Sequence, residues 1–264
     1  MIKVAISGAT GRMGHMLLEA VSNAEDFELT CALAPAGAPE LGQDAFAFLG
    51  KTSGVKITSD IAELSKADVL IDFTRPEATL TYIPYCAEHG VGLVIGTTGF
   101  DVQGKAAIEK TAQSVPVVFA PNMSVGVNAA MSLIAKAAEL LADYDCEIVE
   151  MHHKHKVDAP SGTALEMGKR VAKARGVKFE DVAVLSREGY TGERVKGTIG
   201  FATLRGGDVV GDHTVIFAGP GERIEISHKS GSRAGYAQGS LTAARFILKK
   251  NNGLYSMTDV LGLN

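Results

Sequence analysis

Directly after a short apolar run at the start of the chain stands Gly8-Ala-Thr-Gly11-Arg-Met-Gly14. No other feature of the sequence constrains the fold as strongly. Three glycines at this spacing, between a strand and a helix, let the backbone turn tightly and let helix and strand pack closely. The helix then begins with exposed backbone N–H groups and the positive end of its dipole, which together stabilise a pyrophosphate. Elsewhere a glycine triplet is weak evidence. Here it follows the first strand of a repeating strand–helix pattern, the setting of a dinucleotide site.

That pattern continues through the first half. Short Val- and Ile-rich runs are expected as strands at Ile2–Ser7, Glu28–Leu33, Val69–Phe73, Leu93–Gly96 and Val115–Ala120. Between them, helical periodicity falls near Gly11–Ser22, Glu77–His89 and Val102–Ser114. Most of the runs do not alternate, as befits strands of a parallel sheet covered on both faces. Pro35–Thr58 is rich in Gly, Ala and Pro and reads as a loop with one short helix.

After Asn122 the pattern changes. An amphipathic helix at about Val127–Ala142 leads to a strand, Cys146–His152, then a polar loop and a helix from Thr163. Strands dominate from Val182 to Lys229, and a last helix, roughly Gly235–Lys249, ends the chain. The expected class is α/β: an N-terminal Rossmann-type parallel sheet plus a C-terminal α+β domain with a mixed or antiparallel sheet. The expected domains are 1–123 with 234–264, binding a dinucleotide, and 124–233, binding substrate and forming the oligomer.

Composition narrows the function classes. With 26 basic and 30 acidic side chains the net charge is −4, unlike a chain that coats nucleic acid or an anionic membrane. No stretch approaches the roughly 18 apolar residues of a membrane helix, and MIKVAIS runs into a strand without a leader-like segment. Cys31, Cys86 and Cys146 lie in apolar surroundings with no CxxC pairing, as buried reduced thiols would. A cytoplasmic protein with a small-molecule partner is expected.

Dinucleotide sites usually carry an acidic residue at the end of the second strand, which binds the adenosine ribose hydroxyls. Here that strand ends in Leu33-Ala34-Pro35-Ala36, with no carboxylate. NADPH is therefore allowed, with Arg12 in the turn beside it, and NADH is not specifically selected. Two later strand ends, Gly96-Thr97-Thr98-Gly99 and Ala120-Pro121-Asn122-Met123-Ser124, offer small residues and short polar side chains on the binding edge of the sheet. Cofactor contacts and plain turn chemistry both account for them.

The most unusual stretch is Glu150-Met-His152-His153-Lys154-His155-Lys156-Val-Asp158-Ala-Pro-Ser161-Gly162-Thr163-Ala. Its tail has the composition of a helix N-terminus, which offers donors to a carboxylate. Histidine supplies protons near neutral pH, and a lysine crowded by cations has reason to release one. A solvated basic loop is the bland alternative. Metal binding by His152 and His155 is disfavoured, because the neighbouring lysines repel a dication. An acid and anion site for a dicarboxylic substrate is expected, with no metal.

These residues resemble the 4-hydroxy-tetrahydrodipicolinate reductase (dihydrodipicolinate reductase) family. The matching motifs are GATGRMG (8–14), IDFTRPE (71–77), VIGTTGF (94–100), SVGVN (124–128), EMHHKHKVDAPSGTA (150–164), SREGYTGER (186–194), GTIGF (197–201) and HKSGSR (228–233). The resemblance implies NADH or NADPH as cofactor and a homotetramer formed by the second domain's sheet. It implies His152 as proton donor or acceptor, Lys156 as a second donor, and His153 with the Ser161–Gly162–Thr163 helix start as contacts to the substrate carboxylates. Gly8, Ala9, Thr10, Gly11, Arg12, Met13, Gly96, Thr97, Thr98, Ala120, Pro121, Asn122 and Met123 are the implied cofactor contacts. Some members carry an acidic residue and an arginine where this chain has Ala34 and Pro35, so nucleotide preference stays open.

The implied reaction removes water from 4-hydroxy-tetrahydrodipicolinate, adds hydride to the resulting conjugated imine and protonates the electron-rich intermediate, in lysine and diaminopimelate biosynthesis. Two other readings remain at this point: an NAD(P)H reductase of another cyclic imine or dicarboxylate, and a non-catalytic NAD(P)H-sensing regulator. The histidine–lysine loop argues against a sensor, which needs no proton donor.

Overall fold

The computed structural model describes residues 1–263 and divides into two compact units, 1–125 with 233–263, and Gly126–Ser232.

The first unit is built on seven parallel strands. They are β1 (Ile2–Ser7), β2 (Phe27–Leu33), β3 (Ile57–Thr58), β4 (Val69–Asp72), β5 (Gly92–Ile95), β6 (Pro116–Phe119) and a strand near the C-terminus, β12 (Gly253–Tyr255), in spatial order β12-β6-β5-β4-β1-β2-β3. The chain leaves β1 in one direction for β2 and β3, and later builds β4, β5 and β6 in the other. The junction of β1 and β4 is therefore a topological switch point, where ligands bind at strand carboxyl ends.

The strands alternate between two apolar layers. Val4, Ile6, Val69, Ile71, Val94 and Val118 face the layer built by α1 (Arg12–Ser22) and α7 (Ala234–Ile247), with Met257 of α8 (Met257–Leu261). Ala5, Leu70, Leu93, Ile95 and Val117 face α2 (Pro76–His89), α3 (Val102–Thr111) and a 3-10 helix at Ile61–Lys66. Burial on both faces explains why these runs are continuously apolar in sequence.

Two expectations need correction. The last long helix does not end the chain: β12 adds in parallel to β6, and α8 follows with a Ser256–Asp259 capping box. Only three residues pair in β12, too few for periodicity to show. The Pro35–Thr58 loop does contain a short helix, Ala47–Leu49, but closes with strand β3 against the end of β2.

In the second unit, α4 (Val125–Leu140) and α5 (Gly162–Ala174) cover one face of a five-stranded sheet of order β11-β10-β7-β9-β8. The strands are β7 (Asp145–His152), β8 (Ala183–Val184), β9 (Ile199–Arg205), β10 (Gly211–Gly219) and β11 (Glu222–Ser230), with α6 (Phe179–Val182) leading into β8. β7, β9 and β8 run parallel, while β10 is antiparallel to β7 and β11, so the sheet is mixed. β7 alternates strictly, Cys146, Ile148, Glu150 and His152 facing the core. Its opposite face carries Val149 and Met151, beside Leu204 of β9 and across from Thr214 of β10, and none of these is fully buried.

Candidate active site

In the first unit, the expected cofactor residues lie at the carboxyl ends of β1, β5 and β6, with β4 between β1 and β5. Gly8–Met13 follow β1, Gly96–Thr98 follow β5, and Ala120–Met123 follow β6. Gly11 is the N-cap of α1 and supplies no side-chain cap. A Cβ on Gly14 would lie 2.0 Å from the Gly8 carbonyl oxygen and 2.7 Å from the Ala9 carbonyl carbon, so the helix seats against the turn only because residue 14 lacks one. This cradle fits a dinucleotide pyrophosphate. The Ala120–Met123 segment is braced from α7 in the same way: a Cβ on Gly239 would stand 1.8 Å from the Met123 carbonyl oxygen.

Beneath these loops lies Asp72, the fully buried last residue of β4. Ser7, Thr74, Thr79 and Thr97 all donate hydroxyl hydrogen bonds to its carboxylate. The network joins the ends of β1, β4 and β5 where the cofactor loops begin. IDFT was visible in sequence as a motif, but nothing local marked Asp72 as a hub.

In the second unit, β7 ends at His152, and the histidine–lysine loop runs from there to α5. Lys156 N–H closes a turn on the His153 carbonyl at 3.1 Å. The Lys156 ammonium donates to Asp158 at 2.8 Å, and this pairing holds the Asp158 carboxyl below its usual range. His153 Nδ1 is buried without a hydrogen-bond partner inside the protein. Ser161 is the N-cap of α5, accepting from the Ala164 N–H at 3.1 Å, with Gly162 and Thr163 in the first turn.

The carboxylate of Glu150 draws this loop together. It accepts from His152 Nδ1 at 2.6 Å, from the Ser161 N–H at 3.0 Å, and from both Arg205 Nη atoms at 2.7 and 2.9 Å. Burial pushes its carboxyl up, but the bonds from Arg205, His152 and Ser161 outweigh burial and hold it below the ordinary range. His213, at the start of β10, pairs through Nε2 with Ser161 Oγ at 2.8 Å, and its ring meets that of His152 edge-on at 5.0 Å. Burial pushes the His213 imidazole down to about 4, so it is neutral near pH 7.

Sequence reasoning gave no role to Glu150, Arg205 or His213. For Glu150 a signal existed, since two residues before His152 on a strand means the same face. Arg205 and His213 reach the site only through strand pairing. Among the described residues, no group of three or more His, Cys, Asp or Glu could hold a metal ion, and no helix is long and apolar enough to cross a membrane. The three cysteines are buried and free, and burial pushes each thiol up to about 12.

Family models described as the N-terminus and C-terminus of dihydrodipicolinate reductase match residues 2–123 and 126–261. A 4-hydroxy-tetrahydrodipicolinate reductase of Herminiimonas arsenicoxydans is 61% identical over 264 residues, covering 99% of this chain and 98% of that one. The enzyme of the same name from Cupriavidus metallidurans is 60% identical, covering 99% and 100%. Among solved structures, dipicolinate-bound dihydrodipicolinate reductase from Paenisporosarcina sp. TG-14 superposes with a TM-score of 0.79 at 25% identity, over 98% of both chains.

Proposed function

The chain belongs to the dihydrodipicolinate reductase family, and from that premise we propose how its residues divide the NAD(P)H-dependent reduction of 4-hydroxy-tetrahydrodipicolinate. This reduction is a step of lysine and diaminopimelate biosynthesis. The observation that carries the assignment of roles is the folding of the histidine–lysine loop onto the N-terminus of α5, with His152 anchored at one end and Ser161 at the other.

The first unit binds the cofactor. Gly8–Met13 cradle the pyrophosphate, while Gly96–Thr98 and Ala120–Met123 supply backbone and short polar groups beside it. Bound NADH or NADPH supplies the hydride. The second unit holds the substrate. The Gly162 and Thr163 N–H groups at the start of α5 face one carboxylate, helped by the helix dipole, and His153 takes part in binding the other. Ser161 sets the start of this helix, because its hydroxyl and its N–H are both engaged within the protein. His152 protonates the electron-rich intermediate, and Lys156 serves as a second donor; a positioned acid of this kind contributes about 10²–10⁴-fold in rate. The dipicolinate bound by the Paenisporosarcina relative has the two carboxylates that such a site would hold.

We assign the chain to a cytoplasmic homotetramer. The sheet face bearing Val149, Met151 and Leu204, left uncovered by α4 and α5, supports assembly through that sheet. Buried free thiols suit a reducing compartment.

The deciding experiment follows oxidation of NADH and of NADPH in the presence of freshly made 4-hydroxy-tetrahydrodipicolinate. Oxidation that requires this substrate is expected, and the ratio of the two rates sets the nucleotide preference left open by Ala34 and Pro35. Absence of oxidation in folded, cofactor-binding protein would refute the reading. Solution mass measurement tests the tetramer.

A further inference from the structure

We propose that Glu150 is a positioning residue for the reduction: it fixes His152 as the Nδ1–H tautomer, leaving Nε2 as the atom that transfers the proton, and ties that ring to the helix start. The inference rests on the reading of His152 as proton donor.

The geometry leaves little freedom. Glu150 is 1% exposed, and each carboxylate oxygen accepts two hydrogen bonds. Oε2 takes His152 Nδ1 and Arg205 Nη1, while Oε1 takes the Ser161 N–H and Arg205 Nη2. A buried carboxylate paired with a guanidinium and filled by four donors is ionised and only accepts, so Nδ1 of His152 must carry a hydrogen. The neutral ring then presents a bare lone pair at Nε2, and the protonated ring presents an Nε2–H. When that proton leaves, the ring returns to the neutral form with Nδ1–H still bound to Glu150, and no other atom changes protonation.

Space at Nε2 is kept open from β10. A Cβ on Gly211 would lie 3.0 Å from His152 Nε2, so residue 211 leaves that nitrogen clear. The nearest ring, His213, is engaged with Ser161 and does not compete for Glu150. Arg205 fills the rest of the carboxylate, so Glu150 cannot swing away from His152 without breaking a bidentate pair. Because Oε1 also holds the Ser161 N–H, one buried side chain sets both the ring and the N-cap of α5.

Glu150→Gln tests this with little change of shape. With its NH₂ toward His152 the amide cannot accept from Nδ1, and donating to it would demand the opposite, Nε2–H, tautomer. Turned the other way, the NH₂ meets the Ser161 N–H and Arg205 Nη2, two donors it cannot accept from. The measurement is ¹⁵N NMR of the full-length protein labelled in histidine, with the His152 signals identified by their loss in His152→Gln. The expected native spectrum shows Nδ1–H for neutral His152. In Glu150→Gln that preference should weaken, and kcat should fall about 10²-fold, within the range of a positioned acid, while the cofactor KM changes little and the substrate KM, which the α5 start influences, rises by much less than kcat falls. In a His152→Gln background the same substitution should cost little more.

A native Nε2–H tautomer would overturn the inference, and that measurement needs no variant of Glu150 to fold. Native kcat in Glu150→Gln, or a full additional loss in the double variant, would overturn it equally. Full turnover in His152→Gln would instead remove the proton-donor reading and this inference with it, a result distinguishable because it arises before Glu150 is altered.

Discussion

The Thr97 hydroxyl donates to Asp72 Oδ2 at 2.8 Å while accepting from the Thr74 N–H at 2.9 Å, locking the end of β5 to the loop that follows β4. Three further hydroxyls share the same carboxylate, and among the described residues no lysine or arginine pairs with it. Asp72→Asn replaces an acceptor-only group by one that also donates, so some of these hydroxyls lose their partner inside the core. Hydrogen bonds to charged groups contribute roughly 1.5–3 kcal/mol each, so a loss of about 3 kcal/mol in unfolding free energy is expected. Because the network underlies the cofactor loops after β1 and β5, NAD(P)H binding followed by fluorescence should weaken about tenfold, by the 1.4 kcal/mol that corresponds to that factor. Native stability and affinity in this variant would refute the hub.

Gly14 and Gly162 make a paired prediction. Both lie near the N-terminus of a helix, but a Cβ on Gly14 would overlap the Gly8 carbonyl, whereas a Cβ on Gly162 would meet nothing within 4 Å beyond its own helix. Gly14→Ala should lose about 1–3 kcal/mol by overpacking and lose cofactor affinity with it. Gly162→Ala should unfold within about 0.5 kcal/mol of the native protein. Denaturant curves of the two variants decide the point, and equal losses would contradict it.

His152→Gln and Lys156→Ala should each lower turnover by about 10²–10⁴-fold, the contribution of a positioned acid, while cofactor binding stays native. Stopped-flow oxidation of NAD(P)H, together with direct cofactor titration, separates the two quantities. Near-native turnover in both variants would remove them from the chemistry.

His213 predicts a pH effect on stability. Its folded value, about 4, lies below the ordinary 6.5, with burial as the main cause. Between pH 6.5 and 4 the unfolded chain therefore binds a proton at this position that the folded chain does not. Stability must fall as pH drops through that window and level off for this group below it. At one pH unit per 1.36 kcal/mol the full effect is on the order of 3 kcal/mol. Glu150, held below its ordinary range, also loses stabilisation on acidification, so the informative quantity is the difference between native protein and His213→Gln. Urea midpoints from pH 7 to pH 4 should fall less steeply in the variant. Parallel curves would show that the buried imidazole is not the cause.

Much of the fold is legible in the sequence because its determinants are local. Strand β1 and the turn that follows it are encoded within the first 14 residues, by an apolar run and by glycines whose spacing has few structural uses. β7 is recognisable as a strand from its apolar run, but its buried face is not, because Val149 and Met151 lie on the open side while Glu150 and His152 point into the core. The histidine–lysine loop is conspicuous because so many titratable groups seldom crowd one turn. β12 was illegible for the opposite reason: three residues carry no period, and their strand character comes from pairing with β6.

The sequence by itself determined where most of the longer strands and helices form, where a pyrophosphate can meet a helix, and which loop carries the acid–base groups. The tertiary structure decided what those groups touch. Asp72 meets Ser7 across 65 residues and Thr97 across 25, and Glu150 meets Arg205 across 55. His213 reaches Ser161 across 52, and the order of seven strands sets the cofactor loops after β6, β5 and β1 along one edge of the sheet. Periodicity and propensity act over one or two turns of chain, whereas these contacts depend on which strands pair and in what register. Only the folded sheets bring those side chains within hydrogen-bonding distance.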